Sequence, residues 1–274
     1  MIPAAVVRRL VAVEAAARGW TTTAAATLAK LRADRAAVLS LVGLDPVPQQ
    51  VEFLRSDHPR QLLCTTRQFG KSTCVAAKAV VTMLLEPGSL CLCLAPSLRQ
   101  SGELFGKAVQ IFHKLGAPVP ATRETATALH LRNGSRLMSL PGTPGTVRGF
   151  SKVRFLAVDE AALASDELFA AVGPMLARSV NGVQVLASTP FGCRGEFWRN
   201  WTQVPGWNKV RVTADEVPAI PRDYLERERL KIGERWFRQE FYCSFESVAD
   251  AVFDWELIEK ALEGGIRPPL PGGK

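Results

Sequence analysis

Apolar positions recur at helical spacing over residues 1–42, a stretch rich in Ala, Leu and Arg that "LDPVP" at 44–48 interrupts. Beyond it the pattern changes kind. A continuous apolar run from Gln61 to Thr65 predicts a buried strand, a Gly-Lys-Ser turn follows, and Ser72 to Leu85 is amphipathic and predicts a helix that "EPGS" ends. "LCLCLAPS" at 90–97 predicts a second buried strand, and the helix after it, to about Leu115, carries Arg99, Glu103 and Lys107 at helical spacing.

In "ALHLRNGSRLMSL" the pair Asn133-Gly134 stands between two short alternating runs, which predicts an inserted β-hairpin. "VRFLAVDEAA" at 153–162 is again a continuous apolar run, closed by two acids, and "VQVLASTP" at 183–190 is another, closed by Ser-Thr-Pro. Continuous apolar strands separated by helices indicate an α/β fold with a mainly parallel sheet covered on both faces. Charge spacing is helical from Arg222 to Phe245, and "FDWELIEKAL" at 253–262 predicts a last short helix before a Gly/Pro-rich end. The expected division is a helical N-terminal appendage over 1–44, a core over 45–246, and a C-terminal helix and linker over 247–274.

Composition narrows the partners. Lys and Arg number 34 against 26 for Asp and Glu, a formal charge of +8 that favours a polyanion such as nucleic acid without establishing it. The six cysteines form no C-x-x-C pair, and four lie in apolar or loop surroundings, so reduced thiols are expected and a zinc site is not. The first residues carry arginines inside their apolar stretch, which predicts neither a signal peptide nor a membrane span; a soluble protein with no membrane partner is expected.

The candidate chemistry begins at "TRQFGKST", residues 66–73. Gly70, Lys71 and Ser72 end it as a phosphate-binding loop ends: backbone N–H groups at a helix N-terminus wrap phosphates, Lys meets the terminal ones, and a Ser hydroxyl holds magnesium. Thr65 stands where the pattern has its opening glycine. Alone the motif is weak. Downstream, "FLAVDE" places Asp159 and Glu160 at the end of an apolar strand, suited to a magnesium ligand and to a base that polarises water, although adjacent acids there also serve as a helix cap with a first-turn charge. Ser188 and Thr189 close a third strand in a position that a plain turn also favours.

Together these residues carry a resemblance. From Asp45 to Leu262 the chain resembles the ATPase half of the large terminase subunit of tailed bacteriophages, the motor that pumps DNA into a preformed capsid. The matching text is "PVPQQVEFL", "TRQFGKST", "CLAPSLRQSGELFGK", "GTVRGF", "FLAVDEAA", "LASTPFGCRGEFWRNW", "FRQEFYCSFES" and "AVFDWELI". The Arg-Gln pair within the loop is a habit of that family. The resemblance implies a P-loop core of the RecA-like, ASCE type that hydrolyses ATP with Mg²⁺. It implies that Thr66, Arg67, Gln68, Phe69, Gly70, Lys71, Ser72 and Thr73 form the nucleotide loop, and that Ser72 and Asp159 hold the metal. Glu160 then acts on the attacking water, Ser188 and Thr189 sense the terminal phosphate, and Gln50, or its neighbour Gln49, contacts adenine. Arg148, between glycine-bearing neighbours in "GTVRGF", is assigned the charge-neutralising finger offered in trans, and Arg67 a loop-ordering or interface role, with the reverse assignment left open.

The implied partners are double-stranded DNA, identical subunits in a ring, the portal protein and the small terminase subunit, at a procapsid in the host cytoplasm. Arg99, Lys107, Arg194, Arg199 and Lys209 are loose candidates for DNA phosphates, and Phe197, Trp198, Trp201 and Trp207 for base stacking, with helix packing as their other use. A helicase-like translocase shares the same motifs but needs a second motor domain, for which the stretch after Pro190 is short. A non-catalytic nucleotide-binding assembly module is the remaining alternative. The family's nuclease domain would begin where this chain stops; Asp250, Asp254, Glu256 and Glu259 do not replace its acids, so no nuclease activity is expected.

Overall fold

The computed structural model describes residues 22–147, 149–179 and 181–246. The helix expected over 253–262, the acids at 250–259, the first part of the N-terminal helical stretch and Arg148 lie outside the described residues. In chain order the elements are α1 (Thr22–Ala33), α2 (Ala37–Leu41), α3 (Pro48–Arg55), β1 (Arg60–Thr65), α4 (Lys71–Leu85), β2 (Leu90–Ala95) and α5 (Leu98–Lys114). They continue with β3 (Ala121–Glu124), β4 (Ala128–Leu131), β5 (Arg136–Pro141), α6 (Pro144–Val147), β6 (Phe155–Asp159), α7 (Asp166–Leu176) and β7 (Val183–Ser188). α8 (Gly195–Thr202), β8 (Asn208–Val212), α9 (Arg222–Ile232) and α10 (Glu234–Tyr242) complete the order.

Among the described residues the eight strands form a single sheet in the order β3-β4-β5-β2-β6-β7-β1-β8, and every neighbouring pair from β5 to β8 is parallel. Because successive side chains on a strand face opposite ways, β1 sends Leu63 into one core and Leu62 and Cys64 into the other. α1, α2, α4 and α5 cover the first face, with Leu28, Leu31 and Leu39 packed in the same core as the sheet; α7 and α8 cover the second. That double cover is why β2 and β6 are buried at every residue and read as unbroken apolar runs. Leu62, fully buried in β1, which is paired on both sides by β7 and β8, gives a direct check: Leu62→Ala should cost about 2–5 kcal/mol, read as a lower urea midpoint at unchanged slope.

The Asn133-Gly134 turn forms as its residues require, with Gly134 left-handed at φ 84° and Asn133 Nδ2 donating to Met83 O (2.8 Å). The hairpin, β4 with β5, also joins the main sheet. Its second strand, β5, pairs in parallel with β2, while β4 and β3 extend that edge antiparallel. The helical stretch after Arg222 is broken by Gly233 (φ 79°) into α9 and α10. β8 is a short alternating run in which Val210 and Val212 are buried and Lys209 and Arg211 face outward, and it pairs along β1.

This order positions the site. β7 lies between β1 and β6, and the register pairs Cys64 with Ser188 and Asp159 with Ala187. The carboxyl ends of β1, β6 and β7 therefore finish level, and a crevice opens just outside them, where open α/β sheets bind ligands.

Burial sets the state of the cysteines. Cys64, Cys74, Cys91, Cys93 and Cys243 are buried free thiols, and desolvation pushes Cys74 and Cys91 up to about 12, far from the reactive thiolate.

Candidate nucleotide site

Between the end of β1 and the start of α4, residues 66–70 turn the chain from a strand end to a helix start. Thr65 stays in the sheet, paired with Val212 and fully buried. Backbone freedom is required later, at Gln68 (φ 64°) and Gly70 (φ 85°), so the glycine absent from position 65 is not needed there. A left-handed residue other than glycine costs about 1–2 kcal/mol, and ties on both sides hold Gln68 in place. Thr66 N–H donates to Val212 O (2.8 Å), Arg67 N–H to Glu240 O (3.3 Å), and Gln50 Nε2 to Phe69 O (2.6 Å). A Cβ on Gly70 would come within 3.1 Å of that Gln50 nitrogen, so this glycine serves the tie as well as the turn.

The first turn of α4 then meets the end of β6. Ser72 Oγ donates to Asp159 Oδ2 at 2.7 Å, and Lys71 Nζ lies 3.2 Å from Glu160 Oε1 and 3.6 Å from Asp159 Oδ1. Lys71 is thus a nearly buried ammonium compensated by two carboxylates. Glu160 is left-handed (φ 51°), with its N–H donating to Asp159 Oδ1 (3.1 Å). Two adjacent acids are thereby separated: the Asp159 side chain is 9% exposed beneath Lys71, while that of Glu160 is 33% exposed and lines the crevice. Strained residues of this kind persist where neighbours over-determine them.

The crevice has a volume of about 820 Å³, and Thr66 to Ser72 line it. Glu160, Ser188, Thr189 and Phe191 also line it, together with Arg99, Gln100 and Lys107 of α5 and with Tyr224 and Glu240. Ser188 Oγ accepts from Ala162 N–H (3.2 Å), tying the end of β7 to the turn after Glu160. Arg67 Nε donates to Glu240 Oε2 (2.5 Å), and that carboxylate holds the guanidinium above its ordinary range. On the same helix, Gln239 Oε1 accepts from Gly192 N–H (3.2 Å), so α10 touches both the phosphate-type loop and the loop after β7.

The loop, both acids, Ser188 and Thr189 thus converge as the sequence expects. Thr73 follows in the first turn of α4, outside the lining. Gln50 sits behind the loop with both ends of its amide in use, Oε1 accepting from Val47 N–H (3.1 Å). Gln49 keeps a buried Oε1 with no partner, while its Nε2 donates to Glu216. Two of the basic candidates for DNA, Arg99 and Lys107, are exposed residues that border the crevice, Arg99 paired with Glu103 (2.6 Å). Arg199 is paired with Asp166 and Glu196, Lys209 Nζ donates to Trp201 O, and Arg194 lies over the Phe191 ring. Phe197 and Trp198 are buried, and Phe197 and Trp201 pack on Phe245, so this cluster joins α8 to the core. Glu240 and Tyr224 were not singled out from the sequence, because only the return of α9 and α10 across the sheet edge brings them to the loop.

The donor set fits nucleotide and magnesium. Lys71 and three further cations, Arg67, Arg99 and Lys107, line the crevice at a helix N-terminus, as a polyphosphate requires, and Ser72 with Asp159 offers the hard oxygen pair that Mg²⁺ selects. Among the described residues no helix is long and apolar enough to cross a membrane.

Comparison with known proteins agrees with this geometry. Residues 62–260 match the family model "Terminase large subunit, T4likevirus-type, N-terminal". The large terminase subunit of Thermus virus P23-45 is 29% identical over 251 residues, covering 78% of this chain and 51% of the relative. That of Escherichia phage T5 is 23% identical, covering 79% and 52%. The chain therefore spans about half the length of the curated relatives it matches. Among solved structures, the large terminase ATPase domain of Thermus phage P74-26 superposes with a TM-score of 0.66 at 24% identity, over 76% of this chain and 96% of that one. The large terminase of a thermophilic bacteriophage, solved in complex with ADP, gives 0.56 at 11% identity, over 81% and 56%. With a family match over most of its length and a P-loop ASCE sheet at its centre, this chain belongs to the large terminase subunits, in their N-terminal, T4-like-virus-type region.

Proposed function

We propose that the chain is the ATP-hydrolysing motor domain of a viral DNA-packaging terminase, coupling hydrolysis to the movement of double-stranded DNA into a procapsid. The observation that carries this reading is the cluster of Lys71, Ser72, Asp159 and Glu160 at level strand ends in a chain of this family. Loop N–H groups from Gln68 to Ser72 receive the phosphates, those of Thr66 and Arg67 being held by Val212 O and Glu240 O, and Lys71 exchanges its two carboxylates for the terminal phosphate oxygens. Ser72 and Asp159 hold Mg²⁺, which when bound neutralises charge on those oxygens. Glu160, already facing the crevice, orients water and accepts its proton. Ser188 and Thr189 register the terminal phosphate at the end of β7, and Ser188's bond to Ala162 N–H carries that state to the turn after Glu160.

Gln50 and Gln49 serve the adenine side, Gln50 through the loop carbonyl that it holds. Arg148 is the finger offered to a neighbouring subunit, and Arg67 orders the loop through Glu240. The partners are double-stranded DNA, identical subunits in a ring, the portal protein and the small terminase subunit, in the host cytoplasm. The ATPase core spans 45–246, with residues 1–44 as an appendage before it and 247–274 as the connection after it.

The test is ATP turnover, with and without duplex DNA, over a series of protein concentrations. Turnover that needs Mg²⁺ and rises per subunit with concentration is expected for a ring whose sites share residues. A flat response would assign the site to one subunit alone, and no turnover under any condition would leave a nucleotide-binding assembly module.

A further inference from the structure

We infer that Lys78, buried in the middle of the loop-bearing helix α4, is a positioning residue for the nucleotide site: it fixes the far end of α3, whose near end holds the phosphate loop through Gln50. The inference rests on the ATP-site reading above. Lys78 is 3% exposed, and its ammonium donates to Phe53 O (2.6 Å), Ser56 O (2.6 Å) and Gln61 Oε1 (3.2 Å). Three acceptors match the three N–H bonds of a charged ammonium; a neutral amine has two. Its nitrogen also stands 4.6 Å from the Phe53 ring centroid, and Gln61 Nε2 extends the network to His58 O (2.8 Å).

What this network holds is the C-terminal end of α3. Phe53 O belongs to its last turn and Ser56 is its C-cap, so a cation there satisfies free carbonyls and complements the helix dipole. At the other end, Gln50 accepts from Val47 N–H and donates to Phe69 O of the phosphate loop. α3 has only eight residues and two fully buried side chains, Phe53 and Leu54. It is a short strut pinned at both ends to the same unit, by Gln50 to the loop and by Lys78 to the helix that the loop begins. Freeing the Lys78 end lets α3 swing, and the strut then pulls on the carbonyl of Phe69, next to Gly70 in the phosphate cradle.

Burial costs this ammonium much of its proton affinity: desolvation, aided by Arg35 and Arg154 and opposed by Asp57, lowers it to about 7. Glu86 pairs with both arginines, and His58 has its Nδ1 against the backbone of Arg60. The folded value lies below the ordinary lysine value, so stability rises as pH climbs from about 7 towards the unfolded value of about 10.4. The strut behaves oppositely, because the third donor is lost over the first part of that interval.

The experiment uses the full chain and a fluorescent ADP as probe. Lys78→Met should raise its Kd about ten-fold, the scale of a lost hydrogen-bonding anchor, with KM for ATP rising and kcat changing much less. Gln50→Ala should also weaken binding, and the double variant should be weaker by less than the product of the two, because both act through one strut. Circular dichroism reports whether Lys78→Met is folded. The wild-type protein gives an independent reading: the variant to wild-type ratio of Kd, which cancels the nucleotide's own titration, should fall at least three-fold between pH 6 and 8.5. A Kd within two-fold of wild type in folded Lys78→Met, effects that multiply in the double variant, or a pH-independent ratio would overturn the inference. Absence of binding by the wild-type chain would instead remove the ATP-site reading beneath it.

Discussion

Replacement of Arg148 by alanine is expected to lower ATP turnover by about 10³- to 10⁵-fold, roughly 4–7 kcal/mol of transition-state stabilisation, while nucleotide affinity changes little. Phosphoryl transfer spreads negative charge over the oxygens of the moving group, and a guanidinium supplied at that moment acts on the transition state more than on the bound substrate. The competing arginine, Arg67, is already committed. Its Nε is bound to Glu240 at 2.5 Å and its backbone N–H to the Glu240 carbonyl, an arrangement suited to fixing the loop. Arg148 follows Val147, which is buried, and precedes Gly149, which is exposed with φ 104°. Arg67→Ala should instead weaken nucleotide binding, by about ten-fold for one charge-assisted hydrogen bond, and leave a smaller defect in turnover. Mixing wild-type protein with Arg148→Ala separates action within a subunit from action between subunits. Loss of activity steeper than simple dilution marks a finger given in trans; wild-type turnover in the variant would return the role to Arg67.

Much of the site was legible in the sequence because its chemistry sits at strand ends, and strands buried on both faces announce themselves as unbroken apolar runs. "RQLLCT", "LCLCLA", "FLAVD" and "VQVLAS" are all strands, and the residues that close the first, third and fourth of them meet. Two kinds of feature stayed hidden. β8 has charged residues facing outward at Lys209 and Arg211, and its pairing with β1 is a tertiary fact that no local pattern encodes. Glu240 and Lys78 are the second kind. A glutamate on a charged helix and a lysine in an amphipathic stretch look solvated until the fold is known. One turns out to hold Arg67 and the other to lie buried between three oxygens. The question raised by Thr65 also needed the backbone: the left-handed turn falls on Gln68, three residues later.

Replacement of Glu160 by glutamine is expected to lower turnover by about 10²- to 10⁴-fold, the usual contribution of a positioned general base, and to leave ATP bound as tightly as before or a few-fold tighter. The substitution keeps size and shape, so the left-handed turn at 160 and its N–H bond to Asp159 can persist. What changes is charge. An amide oxygen can still face water but cannot take its proton at neutral pH, so the chemical step loses its base. Lys71 meanwhile loses one of two counterions, keeping Asp159 at 3.6 Å. An ammonium less compensated by protein attracts phosphate more strongly, so affinity and turnover should move in opposite directions. Single-turnover hydrolysis beside a fluorescent-nucleotide titration reads both quantities on one sample. Lys71→Ala supplies the contrast, because it removes the cation and should weaken binding itself. Turnover in Glu160→Gln within ten-fold of wild type would show that the exposed acid is not the base, and would leave Asp159 as the group whose carboxylate the reaction needs.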